Sequence, residues 1–155
     1  MTVLPSSVAT LTKLKRLDIS FNPMRMFPLP TLPPSLQLIS ATDAGLQQLP
    51  DSGWASLPQL LEFDVSRNRL KELPTSLSDC KKLRILRASD NQLVEVPAAI
   101  LQGTVVDNVS FKGNKFDVKQ FEKMEGFAEY MGRRKARLDK SLSNSVNLEG
   151  LNDVM

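Results

Sequence analysis

LLEFDVSRNRLKELP at residues 60–74 and LRILRASDNQLVEVP at residues 83–97 match position for position. Each opens on leucine, carries buried-type residues at its fourth and sixth places, asparagine at the ninth and leucine at the eleventh, and closes on an apolar residue and proline. Working outward, Leu14, Leu17, Ile19, Asn22, Met24 and Phe27 form an earlier copy, and Leu36, Ile39, Ala41, Ala44, Leu46 and Leu49 a looser one. Val106, Val109, Phe111, Asn114 and Phe116 begin a further copy. The prolines at 5, 28, 50, 74 and 97 keep the beat, at intervals of 23, 22, 24 and 23 residues. A period in the twenties marks a solenoid, in which each unit contributes one supersecondary piece and buries its apolar face against its neighbours. Within 60–65 and 83–88 the apolar residues alternate with mostly polar ones, the period-two signal of a strand with one buried face. The expected architecture is therefore α/β: short parallel strands stacked along one face, each followed by a returning segment.

The returning segments carry their own apolar spacing of three: Val8, Leu11, Leu14; Trp54, Leu57, Leu60; and Leu77, Cys80, Leu83. These residues are predicted to wall the other side of the core. PLPTLPPS, residues 28–35, has four prolines in eight positions, which forbids an ordinary helix because proline lacks the N–H and clashes with the preceding turn. Asn22, Asn68, Asn91 and Asn114 share the position where the chain leaves the strand. A carboxamide both donates and accepts, so a stacked row of asparagines can satisfy buried backbone groups between coils. Ala44 interrupts that row, which predicts a backbone group left to water and weaker protection around 43–46.

The two ends differ. Residues 4–12 form only the second half of a unit, which predicts further units upstream in a parent protein, an uncovered core end, and self-association there. At the other end the pattern stops at Phe116. Asp117 and Gln120 are spaced for a reciprocal helix cap, with Phe116 and Phe121 placed to clamp the entry. Val118, Phe121, Met124, Phe127, Ala128 and Met131 follow at spacings of three and four, predicting one helix that closes the core. Gly132 costs a helix about 1 kcal/mol relative to alanine, so the basic window beyond it is expected to project. The division reads as repeats over 1–116, a capping helix with a basic end over 117–140, and a flexible tail over 141–155.

A chain of 155 residues, 41% hydrophobic, suffices for one domain with a continuous core. Its formal charge of +3 is local, because RRKARLDK at 133–140 alone carries five basic side chains and one acidic. One cysteine precludes an intrachain disulfide and fits a reducing, intracellular setting. No basic-then-apolar leader opens the chain, and no run of 18 apolar residues occurs.

For chemistry the sequence offers little. It has no histidine, so Ser20, Thr42, Ser66 and Ser89 have no base, and their recurrence follows from the repeat itself. A lone cysteine without histidine makes no zinc site, and no glycine-rich phosphate loop is present. Cys80 shares a core position with Leu11 and Leu57, so it reads as a buried thiol, and Trp54 likewise reads as core. No catalytic residue, metal or cofactor is expected. The candidate site is instead the outward strand row: Arg16, Asp18, Phe21, Leu38, Thr42, Glu62, Asp64, Arg67, Ile85 and Arg87. Phe21, Leu38 and Ile85 are either anchors for a partner or scattered surface hydrophobes. The face as a whole mixes four basic with five acidic residues, which argues against a nucleic-acid groove and for a protein or peptide ligand. The basic patch, Arg133, Arg134, Lys135, Arg137 and Lys140, offers the alternative of an adaptor for acidic membrane or another acidic surface.

The pattern L-x-x-L-x-L-x-x-N-x-L-x-x-L-P, clearest at 60–74 and 83–97, resembles the intracellular, Ras-group-like class of leucine-rich repeats. Gly113-Asn114 through Phe116, followed by MEGFAEYM at 124–131, is similar to the end of a small intracellular member of that family. The resemblance implies a leucine-rich-repeat solenoid, a right-handed horseshoe with its strands on the concave face and a helix capping its C-terminal end. It also implies a non-enzymatic, cytoplasmic interaction scaffold.

Overall fold

A computed structural model describes residues 3–152, and side chains over residues 3–144. Five strands form one parallel sheet in chain order: β1 Arg16–Asp18, β2 Leu38–Ser40, β3 Glu62–Asp64, β4 Ile85–Arg87 and β5 Asn108–Ser110. The register is set by the repeat, with Leu17, Ile39, Phe63, Leu86 and Val109 aligned as neighbours. Strand β1 connects to β2, β2 to β3 and β3 to β4 through single 3-10 turns, at Leu29–Thr31, Trp54–Ser56 and Thr75–Asp79. A further such turn, Ser6–Thr10, precedes β1. Only the last connection closes as a helix, α1 Ala98–Gly103. Three residues of strand per coil suffice because each coil is held by its neighbours and not by its own length.

The core lies between sheet and turns. Trp54, Leu57, Leu60, Leu77, Cys80 and Leu83 are fully buried, as are Ile39, Phe63 and Leu86 opposite them. The proline-rich connection is irregular, as its composition requires, yet it inserts Phe27, Leu29 and Leu32 into the core. Phe27 stacks on Trp54 at 5.4 Å and meets Phe63 edge-on at 5.4 Å, so three successive coils share one aromatic knot. Val8, Leu11 and Leu14 depart from expectation: they lie on the first coil, no strand precedes β1 among the described residues, and Leu11 stays 49% exposed.

The asparagine at each strand exit ties coils together. Asn68 Nδ2 donates to Ala41 O and Val65 O, both at 2.8 Å, while its Oδ1 accepts from the N–H groups of Ala44 and Leu46. Asn91 repeats this with Val65 O, Ala88 O and Leu70 N, and Asn114 with Ala88 O, Phe111 O and Leu93 N. Asn22, on the first strand-bearing coil among the described residues, donates from Nδ2 to Ile19 O and Ser20 O of its own coil.

At Ala44 the expected loss of a backbone partner does not fall on the amide that a carboxamide would serve; it passes to the Gly45 N–H. Met24 N, which a carboxamide at 44 would serve, donates instead to the carbonyl of Ala44 at 2.9 Å. In the following coils the N–H after the asparagine donates upstream: Arg69 to Leu46 O, Gln92 to Leu70 O and Lys115 to Leu93 O. The 44–45 peptide is thus turned over relative to its counterparts, and the turn places Gly45 at φ +69°. Ala44 and Gly45 are one coupled departure from the repeat, with glycine supplying a left-handed backbone that other residues reach at a cost.

The C-terminal cap also differs from the single helix expected. Asp117 and Gln120 form the reciprocal cap, at 2.9 and 2.8 Å, and start α2 Val118–Phe121. Helix α3, Phe127–Asn152, begins only after Gly126 at φ +87°, where a Cβ would stand 2.7 Å from Leu101 Cβ. The break shifts the helical phase. Tyr130 becomes the buried residue of α3, whereas Val118 and Met131, placed on the sequence stripe, are exposed. Gly132 lies inside α3 without ending it, because Arg133 donates through Nε to Val106 O at 2.8 Å and through Nη2 to Leu101 O. Those tertiary bonds outweigh a propensity penalty of about 1 kcal/mol. Residues 141–152, expected as a flexible tail, continue α3, since adding residues to a nucleated helix costs far less than starting one. Residues 153–155 of that segment lie outside the described residues.

Two stability measurements test this account. Gly45→Ala should lower unfolding free energy by about 1–2 kcal/mol, and by clearly less in an Ala44→Asn background, where the carboxamide lets the peptide turn back. Additive costs in urea unfolding would show that the two positions are not coupled. Asn68→Ala should cost at least about 2 kcal/mol, because two buried N–H groups lose their acceptor, and Asn22→Ala should cost less than half of that.

Candidate functional site

The outward face of the sheet is a grid. Reading along each row across the coils, Arg16, Leu38, Glu62, Ile85 and Asn108 form the first, and Asp18, Ser40, Asp64, Arg87 and Ser110 the second. Ser20, Thr42, Ser66, Ser89 and Lys112 follow at the strand exits. At the rim stand Phe21, Asp43, Arg67, Asp90 and Gly113, all with left-handed φ between +52° and +78°. With neighbouring strands about 4.8 Å apart, the grid is about 20 Å wide, the scale of a protein surface.

Much of its charge is paired within the grid. Arg87 meets Glu62 across β3 and β4, and Arg67 Nη2 meets Asp43 Oδ2 at 3.1 Å. Asp18 and Asp64 accept from the backbone N–H of Ser20 and Ser66, each at 2.9 Å. The Ser20 hydroxyl, and then its N–H, hold the exposed Asp18 carboxyl below its ordinary range. The hydroxyl row is likewise engaged: Ser20 with Ser40 at 2.8 Å and Ser89 with Ser110 at 2.7 Å. These contacts make Ser20 and Ser89 coil-to-coil links.

The three apolar residues singled out on this face do not meet. Leu38 and Ile85 share a row but are separated by Glu62, and both are half-buried. Phe21 stands apart at the rim, 68% exposed, with φ +60° and the Arg67 guanidinium 5.9 Å from its ring centre. A bulky aromatic in left-handed backbone is unfavourable by about 1–2 kcal/mol, and burial does not repay it here. The recurrence of Asp, Arg and Gly in the same rim position is a signal in the sequence that marks Phe21 as the odd member. Thr42 and Arg16 complete the face; Arg16 and Asp18 are exposed and Thr42 half-buried.

The basic window behaves differently from its expected projection. Arg133 is folded onto the last coil, Arg134 reaches Tyr130 Oη at 3.3 Å, and Arg137 Nε lies 3.5 Å from Asp107. Asp107 is buried and also takes Arg84 at 2.6 Å, so two guanidinium groups converge on one carboxylate where α3 meets the last coil. Lys135 and Lys140 remain exposed. The polar partners Val106 O, Leu101 O and Asp107 all come from the last coil, more than twenty-five residues earlier, which no helical periodicity in 133–140 could announce.

No chemistry gathers around the other candidates. Cys80 is buried, its Sγ 3.5 Å from Trp54 O, and desolvation pushes its thiol up to about 12. Trp54 is core, its Nε1 donating to Pro50 O at 2.9 Å. Among the described residues, no group of three or more histidine, cysteine, aspartate or glutamate side chains is placed to hold a metal ion, and no helix is long and apolar enough to cross a membrane.

Comparison with known proteins agrees with this geometry. A family model described as leucine rich repeat matches residues 34–93. Mouse PH domain leucine-rich repeat-containing protein phosphatase 1 is 33% identical over 88 residues, which are 57% of this chain and 5% of that protein. Human leucine-rich repeat-containing G-protein coupled receptor 6 is 36% identical over 64 residues, 41% of this chain and 6% of the receptor. The chain thus spans only a small part of these relatives. Among solved structures, a leucine-rich-repeat protein of Leptospira interrogans superposes with TM-score 0.69 at 28% identity, covering 77% of this chain and 30% of that one. An internalin of Listeria monocytogenes superposes with TM-score 0.57 at 23% identity, covering 70% of this chain and 31% of the internalin.

Two measurements follow from the site. Phe21→Asn should leave thermal stability unchanged or raise it by up to about 1 kcal/mol, because asparagine tolerates left-handed backbone; a clear loss would make the ring structural. The Cys80 thiol should react with a disulfide reagent at pH 8 only as fast as the protein unfolds. Its raised pKa favours the folded state at high pH least: that contribution is complete below the unfolded thiol's value near 9.0 and fades as pH climbs toward about 12.

Proposed function

Because this chain is a leucine-rich-repeat protein, we propose that it is a non-enzymatic interaction module that docks a protein or peptide on the grid formed by its strands. The repeats over 1–116 present that grid, and the segment from 117 to 140 closes their core. The observation that carries this reading is Phe21, an exposed aromatic held in an unfavourable backbone conformation beside Arg67. Aromatic and arginine side chains supply most of the energy in protein interfaces, and a strained, unburied residue has no stabilising role to explain it.

The rest of the grid suits a partner with patterned charge. Its internal pairs, Arg87 with Glu62 and Arg67 with Asp43, leave Arg16, Asp18, Asp64 and Asp90 outside those pairs. A ligand meeting this face finds a short alternation of charge around one aromatic anchor. Internalin and the leucine-rich-repeat protein of Leptospira support the fold of such a module; the partner here is unassigned. The chain's lack of histidine and its buried Cys80 favour binding over catalysis.

The adaptor reading keeps less support, since three of its five basic residues have partners within the protein. Attachment there would depend on Lys135 and Lys140.

Affinity capture at moderate salt with three chains separates the readings. Phe21→Ser with Arg67→Glu should abolish a partner that the intact chain retains, and Lys135→Glu with Lys140→Glu should not. The reverse outcome, with capture falling steeply as salt is raised, would assign binding to the basic surface.

A further inference from the structure

The C-terminal end of the sheet carries a second surface. In the interior strands the central residue is fully buried, at Ile39, Phe63 and Leu86, but in β5 the aligned Val109 is only half-buried. The aromatic cap explains why. Phe111 packs against Phe116 at 6.0 Å and Phe121 at 5.6 Å, and Phe121 against Phe127 at 5.1 Å and Tyr130 at 5.8 Å. That cluster closes the core below the strand and leaves a cavity of about 380 Å³ beside it, walled by Val109, Phe111, Phe116 and Phe121, with Val118 exposed at its lip.

The same strand has an open edge. Among the described residues β5 pairs only with β4, through Asn108 N to Arg84 O at 3.1 Å and Ala88 N to Ser110 O at 2.9 Å. Backbone groups alternate sides along a ladder, so the N–H and C=O of Val109 and the N–H of Phe111 face the side without a strand. An apolar cavity alongside vacant donors and acceptors is the arrangement that accepts an added strand, with main-chain bonds giving affinity and the cavity selecting a side chain. The local charge selects further. Residues 112–123 hold four lysines against one aspartate and one glutamate, and Asp117 is occupied by the N–H of Gln120.

We propose that the outer edge of β5 binds an extended peptide as a sixth strand, with one large apolar side chain in the Val109–Phe121 cavity and flanking acidic residues toward Lys112 and Lys119. This surface lies at the opposite end of the sheet from Phe21, where the grid and the β5 edge share Lys112, and it is tested apart from the Phe21 and Arg67 anchor.

The test is a titration of the full, 15N-labelled chain with acetyl-Glu-Val-Phe-Val-Glu-amide. Its lysine-flanked analogue and two versions, each N-methylated on the amides of one edge, are run beside it. Saturable amide shifts should centre on Val109, Phe111 and Lys112. The acidic peptide should bind at least fivefold more tightly than the lysine peptide, and N-methylation on the pairing edge should weaken it at least tenfold. Lys112→Glu with Lys119→Glu, both exposed positions, should reverse the charge preference, while Phe21→Ser with Arg67→Glu should change nothing. Absence of saturable shifts at β5 up to millimolar peptide would overturn the proposal. So would equal affinity for the two N-methylated peptides, or shifts centred on Phe21 and Arg67.

Discussion

The carboxamide at the strand exit is the contact on which this solenoid depends. Coils with three-residue strands leave many buried peptide groups at the turn between sheet and return segment, and each unsatisfied group would cost about 1–3 kcal/mol. Asn68, Asn91 and Asn114 each bridge the coil before and their own, so one side chain serves two turns at once. Where asparagine is missing, at Ala44, the backbone itself takes over by turning a peptide and recruiting Gly45. The requirement is for an acceptor at that point in space; asparagine is the usual way of meeting it.

The same turn also sets the rim of the outward face. Leaving the strand into the asparagine position needs one left-handed residue per coil, which puts Phe21, Asp43, Arg67 and Asp90 side by side along the rim. The backbone geometry that closes the core therefore also lines up the side chains of the rim. Pairing among them, Arg67 with both Asp43 and Phe21, holds these side chains in place, the pre-ordering on which the proposed docking would draw.

Solenoid ends face a different problem, because the stacking that buries interior coils stops there. At the C-terminal end five aromatic rings and two arginines fold back on the last coil and close it, at the expense of a regular helix through Gly126. The closure covers the core but not the edge of β5. At the first coil Leu4, Leu14 and Leu17 are only partly covered, and Leu11 stands half in solvent.

By itself the sequence determined the repeat, the strand register, the irregular proline-rich coil, the buried places of Trp54 and Cys80, and the cap at Asp117. All of these follow from local spacing, which a period of two, three or twenty-three residues makes visible. It did not reveal that the Ala44 carbonyl replaces a carboxamide, or that Glu62 and Arg87 neutralise one another, or that Leu38 and Ile85 are kept apart. Nor did it show that Arg133 and Arg137 are drawn onto Val106, Leu101 and Asp107, so that Gly132 fails to end the helix. Those outcomes were decided by tertiary structure, because each depends on segments twenty or more residues apart. Local periodicity says which side of the chain a residue faces, and only the stacking of coils says what it meets there.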